Sequence, residues 1–239
     1  MDEHEIQPGA RIIGLTLYLA KEKTLVFADT HLGYEEYLNT QGIMVPRFQY
    51  KEITKHLKEI LEQTKPKTIV INGDLKHEFG RISGQEWTEV LNFMDYLKDY
   101  EIILVKGNHD NIIGPLADKK NMRIADEYKT GEYLITHGHT IPAKEKLKGV
   151  KTIIIGHEHP AIGLREEGRT EKVKCFMAGR WQGKNFIVMP SLNYVTEGTD
   201  ITQEKTFSPM LQGDLGEFEI IAVEGEKILK FGKLKEIGQ

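Results

Sequence analysis

The stretch IILVKGNHDN, residues 102–111, joins an apolar run of strand length to three polar side chains of different chemistry. Four apolar residues, a lysine and a glycine lead directly into Asn108, His109 and Asp110. A turn after a buried strand needs only residues that suit its backbone geometry, and asparagine or aspartate alone would meet that need. The additional imidazole raises the question of whether other strands of this chain end in the same way.

Four further apolar runs do end in polar side chains of this kind: LVFADTH, TIVINGD, EYLITHGH and TIIIGHEH. In chain order, the residues at the five run ends are Asp29 and His31, Asp74 with His77 shortly after it, Asn108 to Asp110, His137 and His139, and His157 and His159. Functional sites of open α/β sheets gather at the carboxyl ends of the strands, so these five ends can converge on one site.

The residue types at these ends indicate a metal centre. Imidazole, carboxylate and amide oxygen without thiolate suit divalent ions such as Mn²⁺, Fe²⁺, Zn²⁺, Co²⁺ or Ni²⁺. The absence of a cysteine cluster argues against a structural zinc site of the cysteine-rich kind. There are too many candidate ligands for one ion, whereas two ions about 3.5–4 Å apart with a bridging carboxylate would use them all. Such a pair is typical of phosphoester cleavage.

Around these runs, strand and helix patterns alternate through the first two thirds of the chain. LTLYLA and TLVFA predict a hairpin, residues 48–65 have helical periodicity, and Ser83 to Glu86 has the form of a capping box before a second helix. Beyond Pro160 the pattern is mostly strands, which could extend the first sheet or supply a second one. No flexible linker is evident near residue 160, so we expect a single domain over residues 1–239.

The bulk properties are those of a soluble globular chain of 239 residues with a formal charge of −4. That charge does not support a broadly nucleic-acid-binding surface. Cys175 is the single cysteine, cannot form an intramolecular disulfide, and is expected to be a small buried hydrophobe. The N-terminus has no pattern of a secretory signal, and no apolar run reaches the ~18 residues of a membrane span. We therefore expect a cytoplasmic protein without a membrane partner.

The order Asp-x-His, Gly-Asp, Gly-Asn-His-Asp, His and Gly-His-x-His, from Asp29 to His159, resembles the calcineurin-like metallophosphoesterase superfamily. All five motifs are present without a substitution at a ligand position. The resemblance implies an α/β fold, a four-layer αββα sandwich of two mixed sheets flanked by helices. The stretches ADTHLGYEE, GIMVPRFQY and NGDLKHEFG are similar to small archaeal phosphoesterases related to SbcD and Mre11. From its length we expect the chain to lack the added DNA-facing domain of full Mre11 nucleases.

Carried over residue by residue, the resemblance implies two metal ions that share Asp74. The ligands implied for the first ion are Asp29, His31, Asp74 and His159. Those implied for the second are Asp74, Asn108, His137 and His157. His109 would then face the scissile phosphate as an acid or charge stabiliser, and Asp110 would orient its ring. We expect the glycine before Asn108 to allow a sharp backbone turn beside the metals.

Several other residues keep two interpretations. His137 is favoured over His139 as ligand because it lies nearer the strand end, which leaves His139 behind the ligands or near substrate. His77 is either close to the site or an exposed loop histidine. Arg47 and Arg81 could meet a phosphate but are more often surface arginines, and Asn193 could border the site. His56 and His4 are expected on the surface and in a frayed terminus, respectively.

The resulting hypothesis is a hydrolase in which a hydroxide that bridges two metal ions attacks a phosphodiester, or a phosphomonoester, in line. Manganese is the first choice for both ions, and the other divalent metals above remain open. A DNA or RNA nuclease is the main alternative, although the net charge does not support a nucleic-acid partner. A non-catalytic scaffold on the same fold is a third interpretation. A homodimer is considered only because closed dimers are common.

Overall fold

The computed structural model describes residues 1–120, 122–166 and 169–237, and two mixed β-sheets form its centre. The first sheet has its strands in chain order: β1 (Glu3–Gln7), β2 (Ala10–Ile13), β3 (Thr16–Leu19), β4 (Thr24–Phe27), β5 (Thr68–Asn72), β6 (Glu101–Val105) and β7 (Arg123–Ala125). Neighbours from β1 to β4 are antiparallel, whereas β4 to β7 are parallel. The predicted hairpin is confirmed as β3 and β4.

The second sheet collects the remaining strands. Its members in chain order are β8 (Glu127–Thr130), β9 (Tyr133–Thr136), β10 (Thr152–Ile155), β11 (Pro160–Glu166), β12 (Arg169–Trp181), β13 (Lys184–Val188), β14 (Thr199–Asp200), β15 (Glu219–Glu224) and β16 (Lys227–Lys233). Strand order is β14-β11-β12-β13-β10-β9-β8, and β15 pairs with both β12 and β16. The strands after Pro160 therefore supply a second sheet. β10 joins it by pairing in parallel with β13, and β9 pairs in parallel with β10.

Four α-helices are present in the described chain: α1 (Tyr34–Thr40), α2 (Gln49–Thr64), α3 (Gly84–Tyr96) and α4 (Gly114–Lys120). The predicted helix over residues 48–65 is confirmed as α2, with Phe48 and Lys65 as its caps. The capping box is confirmed as well, because Ser83 Oγ accepts from the Glu86 N–H while the Glu86 carboxylate accepts from the Ser83 N–H. Short 3-10 helices cover Lys144–Leu147, Pro209–Leu211 and Leu234–Glu236.

Two apolar clusters hold these layers together. The larger one joins α2, α3 and the first sheet to one face of the second sheet, with Ile53, Phe93, Val70 and Phe176 among its buried members. The smaller one lies on the other face of the second sheet, where Leu211 and other residues of the 3-10 helices cover it. The predicted α/β architecture of two mixed sheets with flanking helices is confirmed. Cys175 is fully buried in the smaller cluster, as the sequence predicted.

Two histidines lie elsewhere than the sequence predicted. His4 is in β1, opposite Ile12 of β2, rather than in a frayed terminus. His56 is mostly buried, its Nε2 accepts a hydrogen bond of 3.2 Å from the Leu15 N–H, and burial lowers its pKa to about 4. Both expectations were wrong. They were based on the separation of these histidines from the polar clusters in sequence, which does not predict the packing of a side chain. In the described chain, no helix is long and apolar enough to cross a membrane.

Candidate metal centre

The five polar strand ends meet at one cleft, although they come from both sheets. β4, β5 and β6 deliver residues 29–31, 74–77 and 108–110, while β9 and β10 deliver residues 137–139 and 157–159. The cleft has a volume of about 500 Å³. Its lining consists of His31, Tyr34, Asp74, His77, Asn108, His109, His157, Glu158, His159, Asn193, Thr196, Thr199 and Phe207.

Two groups of three side chains are close enough to hold one ion each. Their members are Asp29, His31 and His159 in the first group, and Asp74, His137 and His157 in the second. Within each group the candidate ligand atoms all lie within 4.8 Å of one another. A third group, His31, His77 and His109, shares His31 with the first.

Asp74 lies between the two groups. Its Oδ2 is 3.8 Å from Nε2 of His31 in the first group and 3.5 Å from Nε2 of His137 in its own group. Burial raises the pKa of Asp74 to about 7, against the attraction of His137, and the nearby carboxylate of Asp29 adds to the increase. A divalent cation beside this carboxylate would favour its charged form.

The donor set also fits divalent ions. The Oδ1 atom of Asn108 is buried and has no hydrogen-bond partner in the described chain. A buried amide oxygen normally has a hydrogen-bond partner. One that lacks a partner beside imidazole and carboxylate groups is explained if its partner is a metal ion. The residues therefore fit metal binding on their chemistry as well as on their spacing.

The backbone at the predicted ligands is strained. Left-handed φ values occur at five of them: Asp29 (55°), His31 (44°), Asp74 (48°), His157 (66°) and His159 (50°). Such conformations cost residues other than glycine about 1–3 kcal/mol each and persist where the surroundings over-determine them. Five such residues in one cleft indicate that these turns orient the ligand side chains at the expense of favourable backbone conformation.

Two glycines beside the ligands allow the backbone to approach a ligand carboxylate closely. A Cβ on Gly107 would lie 2.0 Å from Oδ1 of Asp74, and one on Gly156 would lie 2.6 Å from Oδ2 of Asp29. Gly107 is not among the described residues with positive φ. The expectation that a glycine is needed here for a sharp backbone turn is therefore wrong. Instead, its missing side chain lets the loop after β6 approach the carboxylate of Asp74.

His109 lines the cleft, and its Nε2 is on the side of Asp74. That atom is 3.8 Å from Oδ2 of Asp74, while Nδ1 hydrogen-bonds to the backbone carbonyl of His77. Because a carbonyl can only accept, Nδ1 carries the proton and Nε2 is left to exchange a proton with a bound molecule. Burial lowers the pKa of His109 to about 4.

Asp110 corrects one sequence-based expectation. It was expected to orient the ring of His109, but the carbonyl of His77 occupies that position. The fully buried carboxylate of Asp110 instead accepts from the Leu75 N–H at 3.1 Å and from the Gly107 N–H at 3.0 Å. It therefore ties the loop after β5 to the loop after β6, and so sets the distance between Asp74 and Asn108.

The structure also separates the residues that had two interpretations. Nδ1 of His139 is 3.0 Å from Nδ1 of His137, on the side of that ring away from Asp29, and His139 does not line the cleft. His77 is in the cleft, where its ring stacks on Tyr34 at a centroid distance of 3.8 Å. Asn193 is fully buried at the cleft wall, and its Nδ2 has no partner among the described residues.

The two arginines lie outside the cleft. Arg47 is exposed with its guanidinium 3.8 Å from Glu36, and Arg81 is exposed 3.2 Å from Glu78. Neither lines the cleft. The role considered for Arg47 at a phosphate therefore has no support from its position.

Sequence reasoning missed three residues that shape the cleft. Lys76 is fully buried and donates to the backbone carbonyls of His109, at 2.8 Å, and Glu78. Glu158 accepts from the N–H groups of Phe207 and Ser208, each at 2.9 Å. The ring of Phe79 packs against that of His109 at an angle of 33°. Only the place of Glu158 between two predicted ligands was a usable signal, because the others depend on loops folding back over the site.

Comparisons with known proteins agree with this geometry. A family model described as calcineurin-like phosphoesterase matches residues 22–147. The crystal structure of nuclease MPE from Pseudomonas putida is similar with a TM-score of 0.68 at 16% identity, covering 96% of this chain and 99% of that one. YfcE, a phosphoesterase from E. coli, has a TM-score of 0.41 at 15% identity, with coverage of 86% and 96%.

At these identities the likeness to nuclease MPE shows a shared fold, and the superposition on YfcE is too weak to add to it. No curated protein sequence matches the chain significantly. The finer resemblance to small archaeal phosphoesterases stays a prediction.

Proposed function

Because this chain belongs to the calcineurin-like phosphoesterase family, we propose that it is a hydrolase that cleaves a phosphodiester with the help of two divalent ions. The observation that carries the proposal is the position of Asp74 between two ligand groups. Its Oδ2 lies within 3.8 Å of an imidazole nitrogen from each group, His31 and His137. The packing of both sheets into one larger apolar cluster supports a single domain over residues 1–239.

The proposed ligands divide between the two ions. One ion would be held by Asp29, His31, Asp74 and His159, and the other by Asp74, Asn108, His137 and His157. The division is supported by the two groups of close ligand atoms and by the orphaned Oδ1 of Asn108. Manganese is our first choice, although Fe²⁺, Zn²⁺, Ni²⁺ and Co²⁺ suit the same ligands.

When bound, the two ions would supply Lewis-acid stabilisation of the phosphoryl oxygens and make an attacking water more acidic. The chain's own contribution is to hold the substrate and to manage one proton. His109 presents Nε2 to the cleft because its Nδ1 is engaged by the carbonyl of His77. Lys76 donates to the backbone carbonyl of His109 at 2.8 Å, so the backbone of His109 is fixed as well as its ring. We assign His109 the protonation of the leaving oxygen. Nε2 would first take up a proton when an anionic phosphate lies beside it, because the negative charge favours the imidazolium form, and would then pass that proton to the leaving group.

A nuclease is the second candidate, because nuclease MPE shares this fold along nearly its whole length. The lining of the cleft argues for a smaller substrate. It contains five histidines, one aspartate and one glutamate, but no lysine or arginine among the described residues. Long nucleic-acid strands are bound mainly through cationic contacts to successive phosphates.

The test is hydrolysis by metal-free protein reconstituted with Mn²⁺. Bis-p-nitrophenyl phosphate, p-nitrophenyl phosphate and single-stranded DNA would be compared, with Asp74→Ala to remove the shared ligand and Asp99→Ala as an exposed control. We expect the diester to be the best of the three substrates and Asp74→Ala to lose at least one metal and nearly all turnover. Undiminished activity in Asp74→Ala would remove the shared-ligand assignment.

Other results would redirect the assignment. Preferential cleavage of DNA, with strong salt dependence of its binding, would favour the nuclease. Two bound metals without turnover of any substrate would favour a scaffold.

A further inference from the structure

Two phenylalanine rings are exposed beside this cleft. Among all described aromatic residues, Phe79 and Phe207 are the ones that are largely exposed, at 50% and 69%. Burying an aromatic ring is strongly favourable. A ring that stays exposed after folding can therefore still contribute this free energy when a ligand covers it. Both such rings border the candidate metal centre. The large aliphatic side chains that are exposed in the described chain, Ile43, Met44, Ile112 and Ile141, do not line the cleft.

Phe79 is held in place by the proposed proton donor. Its ring centroid lies 3.6 Å from that of His109, with an angle of 33° between the planes. This contact uses part of the ring, and half of the side chain stays accessible. The exposed part therefore lies next to the atom that would protonate a leaving group.

Phe207 is held in place by its backbone. The N–H groups of Phe207 and Ser208 both donate to Oε2 of Glu158, between the proposed ligands His157 and His159, at 2.9 Å each. Ser208 Oγ also donates to the Gly138 carbonyl at 2.7 Å. Three hydrogen bonds thus fix the segment to both ligand turns of the second sheet, while the Phe207 side chain lines the cleft.

The charges of the cleft narrow what these rings can bind. Its lining has carboxylates at Asp74 and Glu158, and no cationic lysine or arginine among the described residues. Once two divalent ions have engaged one phosphoryl group, nothing in this lining would compensate a second phosphate. The remainder of a substrate must then be recognised without charge, and two accessible phenyl rings offer stacking.

We propose that Phe79 and Phe207 bind a planar aromatic group carried by the phosphodiester, so that the protein selects esters of nucleosides or of aryl alcohols. The inference rests on the proposed function for the phosphodiester itself, while the recognition of the ring is independent of turnover. The two sources of the aromatic group, a nucleobase or a simple aryl ring, share the same stacking chemistry.

The kinetic test uses three diesters with one leaving group: thymidine 5′-(p-nitrophenyl phosphate), phenyl p-nitrophenyl phosphate and methyl p-nitrophenyl phosphate. We expect kcat/KM for the thymidine ester to exceed that for the methyl ester by about 5- to 150-fold, the range for stacking of one base on an aromatic side chain. Phe207→Leu should remove most of this preference and Phe207→Trp should retain it, whereas Met44→Leu, at a residue 88% exposed in the loop between α1 and α2, serves as control.

The phenyl ester distinguishes the two sources. A preference for both aromatic esters supports stacking on any ring, and a preference for the thymidine ester alone supports a nucleobase. Equal kcat/KM for all three esters in the wild-type protein would overturn the inference while leaving the phosphoesterase intact. A preference that Phe79→Leu and Phe207→Leu both retain would also overturn it.

A binding measurement covers the case in which no ester is hydrolysed. Calorimetry with Mn²⁺-loaded protein would compare adenosine 5′-monophosphate with ribose 5-phosphate, which differ by the base. Tighter binding of the nucleotide, lost in Phe207→Leu and kept in Phe207→Trp, would support the aromatic site even if the proposed hydrolysis failed. Equal affinity for the two ligands would overturn it.

Discussion

Nε2 of His137 lies 2.8 Å from Oδ1 of Asp29, so a hydrogen bond joins side chains that we assign to different metal ions. The carboxylate accepts and the imidazole donates, and both the ring of His137 and the carboxylate of Asp29 are fully buried. The hydrogen bond to Asp29 raises the pKa of His137 despite its burial. The neighbouring histidines hold the pKa of Asp29 well below its usual range, again despite burial. Without metal, the two ligands stabilise each other.

Metal binding must therefore break this hydrogen bond and release its proton. We expect about one proton to be released by His137 when its metal binds, in addition to the proton that a fraction of Asp74 carries near its pKa of about 7, and affinity to fall as the pH drops through the raised pKa of His137. Calorimetric titration with Mn²⁺ in two buffers of different ionisation enthalpy measures the protons released. A binding enthalpy that is the same in both buffers would contradict the protonated state of His137.

The two histidines of the HGH motif should differ sharply on substitution. His137→Ala should remove one of the two ions, because Nε2 of His137 belongs to the second ligand group. His139→Ala should keep both ions but weaken binding by about 10- to 100-fold, since His139 contacts His137 from behind at 3.0 Å. Metal content by mass spectrometry, together with calorimetric affinity, separates these outcomes. Loss of a metal in His139→Ala alone would reverse the ligand assignment.

His109→Gln should reveal its role through the leaving group. A p-nitrophenolate departs without a proton, whereas a nucleoside alcohol needs one, so the loss should be small for bis-p-nitrophenyl phosphate. For thymidylyl-thymidine we expect a loss of about 10²–10⁴-fold. Metal content should stay at the wild-type level, which is the control for a ligand role. Equal losses for both substrates would argue against proton donation by His109.

Asp110→Ala should destabilise the protein even though Asp110 does not touch the proposed substrate. The substitution leaves the buried N–H groups of Leu75 and Gly107 without their acceptor. Two unsatisfied groups correspond to a loss of about 2–6 kcal/mol in the free energy of unfolding. Urea denaturation of the metal-free protein measures it, with exposed Asp99→Ala as the reference. A change within 0.5 kcal/mol, about the size of a surface substitution, would show that water replaces the carboxylate.

Lys174 should make the stability depend on pH. Its buried ammonium donates to the carbonyl of Ser191 at 3.0 Å, to the Ser191 hydroxyl at 2.9 Å and to the carbonyl of Asn193. Burial lowers its pKa to about 7, with Asp29 acting in the opposite direction. Above that pH the unfolded chain binds a proton that the folded protein has released, so stability rises with pH toward the unfolded value of about 10.4.

Relative to Lys174→Met, the wild-type protein should therefore gain up to about 1.4 kcal/mol per pH unit between pH 7 and 9. Urea denaturation at intervals across this range gives the difference. Lys172→Met is the matched control on the same strand, because the ammonium of Lys172 pairs with Glu204 at 2.7 Å and its pKa is raised. A difference between wild type and Lys174→Met that stays constant with pH would show that the buried ammonium keeps its proton.

Hydrophobic periodicity and helix-capping residues were sufficient to predict the local secondary structure of the chain. An apolar stripe bounded by Phe48 and Lys65 predicted α2, and the Ser83 capping box marked the start of α3. These features depend on residues a few positions apart, which one helical turn or one strand brings into contact. Apolar runs ending in polar residues likewise identified the loops that now meet at the cleft.

The sequence by itself determined which residues could bind metal, because imidazole, carboxylate and amide groups follow directly on buried strands. Only the tertiary structure decided how those residues are used. Asp74 lies between two ligand groups, Asp110 supports a backbone rather than a ring, and Phe207 reaches the cleft from a distant segment. The reason is that the left-handed turns and the loop-to-loop hydrogen bonds are stabilised by contacts between two sheets, which no local pattern encodes.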